Sequence, residues 1–233
     1  MNYIGLDISK ASTAMVIEAN NKEYYFSYNT KDKDYIWNKL CRENNVNIRT
    51  YDYTNSIKKD YSTSEVNKLK LFSEISTTLF NDIINTINIK EDTVCFIEGY
   101  SYGKGSSQIL DLVGIGSCIR AKIYEGISNV QLKILAPKSL KTDVCRVVYG
   151  SKMVETGKKK LKLIEVINPN NKGISGGNFT KIDMFDAIIE SNFNSNWKDF
   201  LLVNLDKIRK VKDIPKPIED INDAFLLKEI VKI

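Results

Sequence analysis

Four acidic residues stand where phosphate chemistry would need them. Asp7 ends the apolar run Tyr3 to Leu6, Glu98 ends the run TVCFI from Thr93 to Ile97, and Asp220 and Asp223 lie three residues apart in PIEDINDAF. An Asp at a strand end commonly does no more than cap a turn, and a helix dipole favours acids in a first turn. Two adjacent strands with a helix crossing their ends, however, would gather all four into one cleft, and four anions in contact require shared cations. Oxygen ligands alone select magnesium, with manganese able to substitute. Two such ions about 3.5 to 4 Å apart can activate water on one side of a phosphodiester and stabilise the departing oxygen on the other. A rival pair, Asp183 and Asp186 in DMFDA, has the same spacing. Asp220 and Asp223 are favoured over it because Pro-Ile-Glu-Asp marks a helix start, whereas Asp183 reads as one turn into an ordinary amphipathic helix.

Composition narrows the alternatives. The 233 residues include no histidine, which removes Ser-His-Asp triads, Cys-His dyads and His-rich zinc sites. The four cysteines, Cys41, Cys95, Cys118 and Cys145, have no CxxC pairing and read as reduced thiols of an intracellular protein. There is no apolar run of about 18 residues and no basic-then-apolar leader, so neither a membrane partner nor secretion is expected, and the cytoplasm is the expected location. The net charge of +5 is mild, but the basic residues crowd the second half. They fall at Lys152, Lys158, Lys159, Lys160 and Lys162, and again at Lys207, Arg209, Lys210, Lys212 and Lys216. Such clusters suit a polyanion, although any one of them is ordinarily a solvated helix face.

The elements that must position the acids are legible in the periodicity. Asn2 to Ile17 reads as a hairpin and Lys22 to Tyr28 as a third strand, so three antiparallel strands open the chain. A short helix is predicted over Asp32 to Glu43 and an edge strand or loop over Val46 to Tyr53. The spacing predicts a long helix over Ser62 to Ile89, capped by Ser62 or Ser64, with Val66, Leu69, Phe72, Ile75, Leu79, Ile83 and Ile87 on one face. Thr93 to Ile97 has the apolar character of a parallel strand buried on both faces. A loop rich in glycine and tyrosine, Gly99 to Gly105, carries Tyr100, Tyr102 and Lys104. It leads into a helix from Ser106 to Tyr124 whose apolar face is Ile109, Leu110, Val113, Ile119 and Ile123, with Gly114 and Gly116 allowing close approach of a neighbour. Val130 to Leu135 reads as a strand, and Pro137 opens the next helix. From Tyr149 to Gly177 the composition turns to lysine, asparagine and glycine, with a short helical piece expected near Lys159 to Ile167; this is read as a surface insertion at about 151–175. Helices are predicted over Thr180 to Glu190, from Asn196, and from Pro217 to the end. The fold class is therefore α/β, one domain over residues 1–233 with a mixed central sheet flanked by helices.

With these elements in order, the chain resembles the RNase H-like nucleases of the RuvC type, in the divergent form found in phages. The segments that carry the likeness are IGLDISKASTAMVI, FIEGY, LVGIGSCIRAKI, LAPKSLK and KPIEDINDAFLL. The resemblance implies cleavage of Holliday junctions or other branched DNA in recombination and repair, with Asp7, Glu98, Asp220 and Asp223 holding two magnesium ions. It aligns Gly177-Asn178-Phe179-Thr180-Lys181 with a family Gly-Asn-x-x-Lys segment, which makes Lys181 a candidate for contacting the scissile phosphate or the attacking water. The family often places an aromatic after the catalytic strand to stack on a base at an opened junction, and Tyr100 and Tyr102 fall there; such stacking is worth about 1 to 3 kcal/mol. Lys104, Lys158, Lys159 and Lys160 would add phosphate contacts without sequence information. A symmetric four-way junction implies a homodimer.

Two features depart from the family. Ile8-Ser9-Lys10 replaces the usual Pro-Gly-Ser, a wording closer to the DEDD-type insertion-sequence transposases of the same fold, and the insertion at Ser151 to Ser175 has no counterpart. The competing expectations are such a transposase-like nuclease, an RNase H-like nucleic-acid-binding protein without activity, and an actin- or hexokinase-like ATPase. The last shares the apolar-Gly-apolar-Asp first strand but needs a second glycine-rich phosphate hairpin, which the sequence lacks.

Overall fold

The computed structural model describes residues 1–9, 11–30, 35–52, 60–100, 106–156, 162–167, 179–230 and 232. Its centre is a hairpin-led sheet. Strands β1 (Asn2–Asp7), β2 (Ser12–Ala19) and β3 (Lys22–Asn29) run antiparallel in sequence order. Asn20 and Asn21 close the second hairpin with φ of 53° and 59°, the left-handed pair that a two-residue turn matched to strand twist requires. Strand β4 (Val46–Thr50) adds in parallel to β3, and β5 (Thr93–Glu98) and β6 (Val130–Leu135) add in parallel on the far side of β1. The order is β4-β3-β2-β1-β5-β6. Three antiparallel strands continued by parallel ones, flanked by helices, is the RNase H-like arrangement expected from the sequence.

The two-residue period of the strands divides the core into two layers. Ile4 and Leu6 of β1 and Cys95 and Ile97 of β5 face helices α2 (Tyr61–Thr86) and α3 (Ser106–Gly126), whose Leu71, Phe72, Ile75, Leu79, Ile83, Ile115, Ile119 and Ile123 are buried against them. The alternate positions of the same strands, with Val94 and Phe96, face the other layer. That layer comprises α4 (Pro137–Tyr149), α5 (Lys181–Glu190), α6 (Asn196–Val203) and α8 (Ile218–Ile230), with the five-residue α7 (Leu205–Arg209) and α1 (Tyr35–Glu43) at its edge.

Helix α8 is buried on nearly all sides, with Ile218 and every residue from Asp220 to Glu229 buried, charged ones included. It lies directly on β1, its apolar Ile221, Ala224, Phe225, Leu226 and Leu227 in the core and its charged residues paired at either end. Gly5 makes that possible: a Cβ there would collide with the carbonyl of Ala224 and lie 2.6 Å from the amide nitrogen of Lys228. Because Tyr3, Gly5 and Asp7 alternate with Ile4 and Leu6, the face that meets α8 through Gly5 is the face that carries Asp7.

Several expectations are corrected. Where a helical piece is predicted near Lys159 to Ile167, the described part, Lys162–Ile167, is strand β8, paired antiparallel with β7 (Ser151–Thr156). The β-branched Ile164, Val166 and Ile167 favour the pleated form, and Arg146 on α4 ties the ribbon down through Glu165 at 2.8 Å. The rest of the proposed insertion, including Lys158, Lys159 and Lys160, lies outside the described residues. Asp60, not Ser62 or Ser64, caps α2, accepting from the Thr63 amide at 2.7 Å. Val66, Leu69 and Leu110, expected on the apolar faces of α2 and α3, are exposed.

Replacing Gly5 by Ala should force α8 off the sheet. Overpacking between two backbones cannot be relieved by a rotamer change and costs about 1–3 kcal/mol or more. For a chain of this length that lowers Tm by roughly 5 °C. Calorimetry on Gly5→Ala beside Gly150→Ala checks this. Gly150 has open space around it, but its φ of 71° with ψ of 176° is nearly closed to residues other than glycine, so the second change should also lower Tm, through backbone strain without displacing α8.

Candidate metal centre

The site is built by the ends of three elements. β1 and β5 are parallel neighbours in a register that pairs Leu6 with Ile97, so the next residues, Asp7 and Glu98, leave the sheet side by side and on the α8 face. Helix α8 runs antiparallel to β1: Ala224 and Lys228 pass over Gly5, and the first turns, with Asp220 and Asp223, come over the end that carries Asp7. Carboxylate oxygens of Asp7, Glu98 and Asp223 all lie within 4.8 Å of one another. Asp7 and Asp223 are buried, with Glu98 partly so.

Asp220 sits one turn earlier on the helix and is 1% exposed. One of its oxygens accepts from the Lys216 ammonium, while Oδ2 is buried with no hydrogen-bond partner. It falls outside the three-acid group, although its charge is felt at Asp7. Lys181, the first residue of α5, donates to Asp223 and lies 3.5 Å from Glu219. The structure thus brings together Asp7, Glu98, Asp223 and Lys181, with Asp220 beside them.

Electrostatics follow from burial. Asp7 is held well above the usual carboxylate range, first by desolvation and then by the charges of Asp223, Glu98 and Asp220. A side-chain hydrogen bond with Glu98 adds to the rise, and Glu98, itself raised by burial, is pulled back by the same contact. Asp220 and Asp223 are raised by burial and pulled back by Lys216 and Lys181 respectively. Five carboxylates, counting Glu219, face the ammonium groups of Lys181 and Lys216, and negative charge is left in excess. An orphaned, fully buried carboxylate oxygen and three mutually repelling acids with no nitrogen or sulfur donor among them suit a hard divalent cation.

The rival acids are otherwise engaged. Asp183 closes a capping box, accepting from both the amide and the hydroxyl of Thr180 at 2.7 Å. Asp186 pairs with Arg209 at 3.0 Å. Tyr100 is packed against α3: its ring lies under the Arg120 guanidinium at 4.3 Å, and a Cβ on Gly116 would strike its hydroxyl. Arg120 thereby covers one face of the ring, and Tyr100 as a whole is partly buried. Tyr102, Lys104, Gly177 and Asn178 fall outside the described residues.

Four residues at the site were missed in the sequence. Lys216 and Glu219 flank the acids, Lys141 donates to the Phe179 carbonyl at 3.2 Å and is felt at Glu98, and Arg120 reaches the Glu98 carbonyl at 3.4 Å. Only Lys216 and Glu219 had a signal, their adjacency to the acidic helix start.

No family model and no curated protein sequence matches the chain. Among solved structures it is similar to T. thermophilus RuvC in complex with a Holliday junction substrate, at 8% identity over 99% of this chain and 91% of that one, with a TM-score of 0.41. A Thermus thermophilus RuvC structure is similar at 9% identity over 100% and 95%, with a TM-score of 0.39. At those scores, the function of the site must be argued from its own geometry.

The raised Asp7 value has a consequence for stability. Between the unfolded value of about 3.9 and its higher native value, the native state binds more protons than the unfolded chain, so stability falls as pH rises through that interval. A bound cation would remove this penalty. Mn²⁺ should therefore raise Tm at pH 7.5 and raise it less at pH 5. Asp7→Asn should raise Tm in chelator by a few degrees, at about 2–4 °C per kcal/mol, and abolish most of the Mn²⁺ response. Scanning calorimetry at both pH values checks all three.

Proposed function

We propose that this chain is a magnesium-dependent, structure-selective endodeoxyribonuclease that cuts Holliday junctions or other branched DNA. The observation that carries the chemistry is the meeting of Asp7, Glu98 and Asp223, from three separate elements, within 4.8 Å. The choice of DNA rests on the sequence segments that resemble RuvC-type nucleases, one of which contributes each acid.

In this reading Asp7, Glu98, Asp220 and Asp223 hold two magnesium ions, with manganese able to substitute. Once bound, the ions would activate a water for attack on a phosphodiester and stabilise the departing oxygen. The protein supplies preorganisation. Asp7 and Glu98 are fixed by adjacent strands, and Asp223 by a helix that cannot shift without breaking its contact with Gly5. Lys181 is half exposed beside Asp223, so its ammonium can turn to a phosphate oxygen or orient the attacking water.

Lys104, Lys158, Lys159 and Lys160 are assigned to phosphate contacts, which position the duplex and make binding salt-dependent. We assign base stacking to Tyr100 and Tyr102, with one face of the Tyr100 ring covered by Arg120. A homodimer would present two such sites to a two-fold junction.

The test is cleavage of labelled four-way, flap and linear duplex DNA by the full chain, in magnesium and in chelator. Junction cutting in magnesium alone is expected. Asp223→Asn should reduce it by at least about 10³-fold, the scale of losing a principal transition-state contact, while junction affinity stays within a few-fold. Lys181→Ala should reduce turnover with less effect on affinity. Junction binding without nicking in either metal would favour a binding protein over an enzyme.

A further inference from the structure

Glu219 has no role drawn from the sequence and Lys216 reads there only as part of a basic cluster, yet both sit against the most buried acid of the site. Asp220 has a side chain only 2% exposed; the Lys216 ammonium donates to its Oδ1, the Ser12 hydroxyl favours its charged form to a lesser degree, and Oδ2 has no hydrogen-bond partner. Lys216 is itself 45% exposed, so its ammonium reaches Asp220 from the open side of the cleft. Pro215 and Pro217 flank it and restrict the backbone on both sides. Movement of the charge is therefore left to the four-carbon side chain. A second carboxylate, Glu219, already lies 3.6 Å from the same ammonium and is 22% exposed.

We propose that Lys216 is a tethered counter-cation: its ammonium occupies the cation position at Asp220 in the metal-free protein and leaves for Glu219 when a divalent ion enters. This inference rests on the cation-binding reading above. It goes beyond it by making the second ion's affinity a competition with one side chain of the protein.

The competition is unequal by design of the geometry. A Lys ammonium is a compact, mobile point charge that offers Asp220 one contact. It satisfies one oxygen and leaves Oδ2 bare, whereas a divalent ion brings twice the charge and its own waters to the second. Without Lys216, Asp220 would be a buried, uncompensated carboxylate in the metal-free state, which costs several kcal/mol. With it, the cleft folds before metal arrives. Lys216 is thus a positioning residue that acts through Asp220.

The experiment is Mn²⁺ titration of the full chain without DNA, by calorimetry and by electron paramagnetic resonance of free Mn²⁺. The proteins are wild type, Lys216→Met, Lys216→Arg and Glu219→Gln. Lys216→Met should bind the weaker of two Mn²⁺ ions about 10-fold more tightly, with the tighter ion changed less than twofold, and its Tm should fall in chelator and recover in Mn²⁺. Lys216→Arg keeps the charge and should bind no more tightly than wild type. Glu219→Gln removes the receiving carboxylate and should weaken the second ion. Unchanged or weaker Mn²⁺ binding by Lys216→Met, with wild type still binding Mn²⁺, would overturn this inference alone. Absence of Mn²⁺ binding by wild type would overturn the cation reading and this inference with it. If Lys216→Met fails to fold, Lys216→Gln provides the same comparison, and Glu219→Gln tests the exchange independently.

Discussion

Like charges forced together out of water are the constraint on which this structure turns. Asp7, Glu98 and Asp223 cannot move apart, because each is fixed by an element whose place is set by core packing: two strands by their register, and α8 by its seat on Gly5. Burial of Asp7, Asp220 and Asp223 also limits how far water can screen them. The repulsion is relieved only by protons, by lysines or by cations. In the protein alone, Lys181 and Lys216 place ammonium groups against Asp223 and Asp220, while burial and mutual repulsion hold Asp7 well above the usual carboxylate range.

The other end of α8 shows what a permanently neutralised acid cluster looks like. Glu18, Glu23 and Glu229 also lie within 4.8 Å of one another. There, however, Lys228 is completely buried among them and bonds all three, while Lys232 adds contacts to Glu18 and Glu229. Its ammonium has no path to solvent, and the cluster is a structural clamp joining α8 to the β2–β3 hairpin. At the metal centre the lysines stand on the open side of the acids and are roughly half exposed. One helix thus carries two acidic clusters with opposite accessibility of the compensating charge, and only one is arranged for exchange.

Much of this was legible in the sequence, for identifiable reasons. Strand ends and a proline-marked helix start are local signals, so Asp7, Glu98, Asp220 and Asp223 could be picked out one by one. The choice against Asp183 was also local, resting on its place one turn into an amphipathic helix; the structure adds that it closes a capping box with Thr180. What was not legible depends on contacts distant in the chain. Gly5 reads as an ordinary strand residue until α8 is laid across it. Tyr100 reads as a loop aromatic until Arg120 and Gly116 of α3 are seen to enclose it. The error at Lys162 to Ile167 came from weighing lysine content over the β-branched alternation that pairs it with β7.

The central claim is that the three converging acids hold a divalent cation. Anomalous diffraction from crystals of the whole chain grown in Mn²⁺ tests it most directly. The account predicts the strongest anomalous peak at coordination distance from carboxylate oxygens of Asp7, Glu98 and Asp223. An empty cleft there, or a principal peak at Glu18, Glu23 and Glu229 instead, would contradict it.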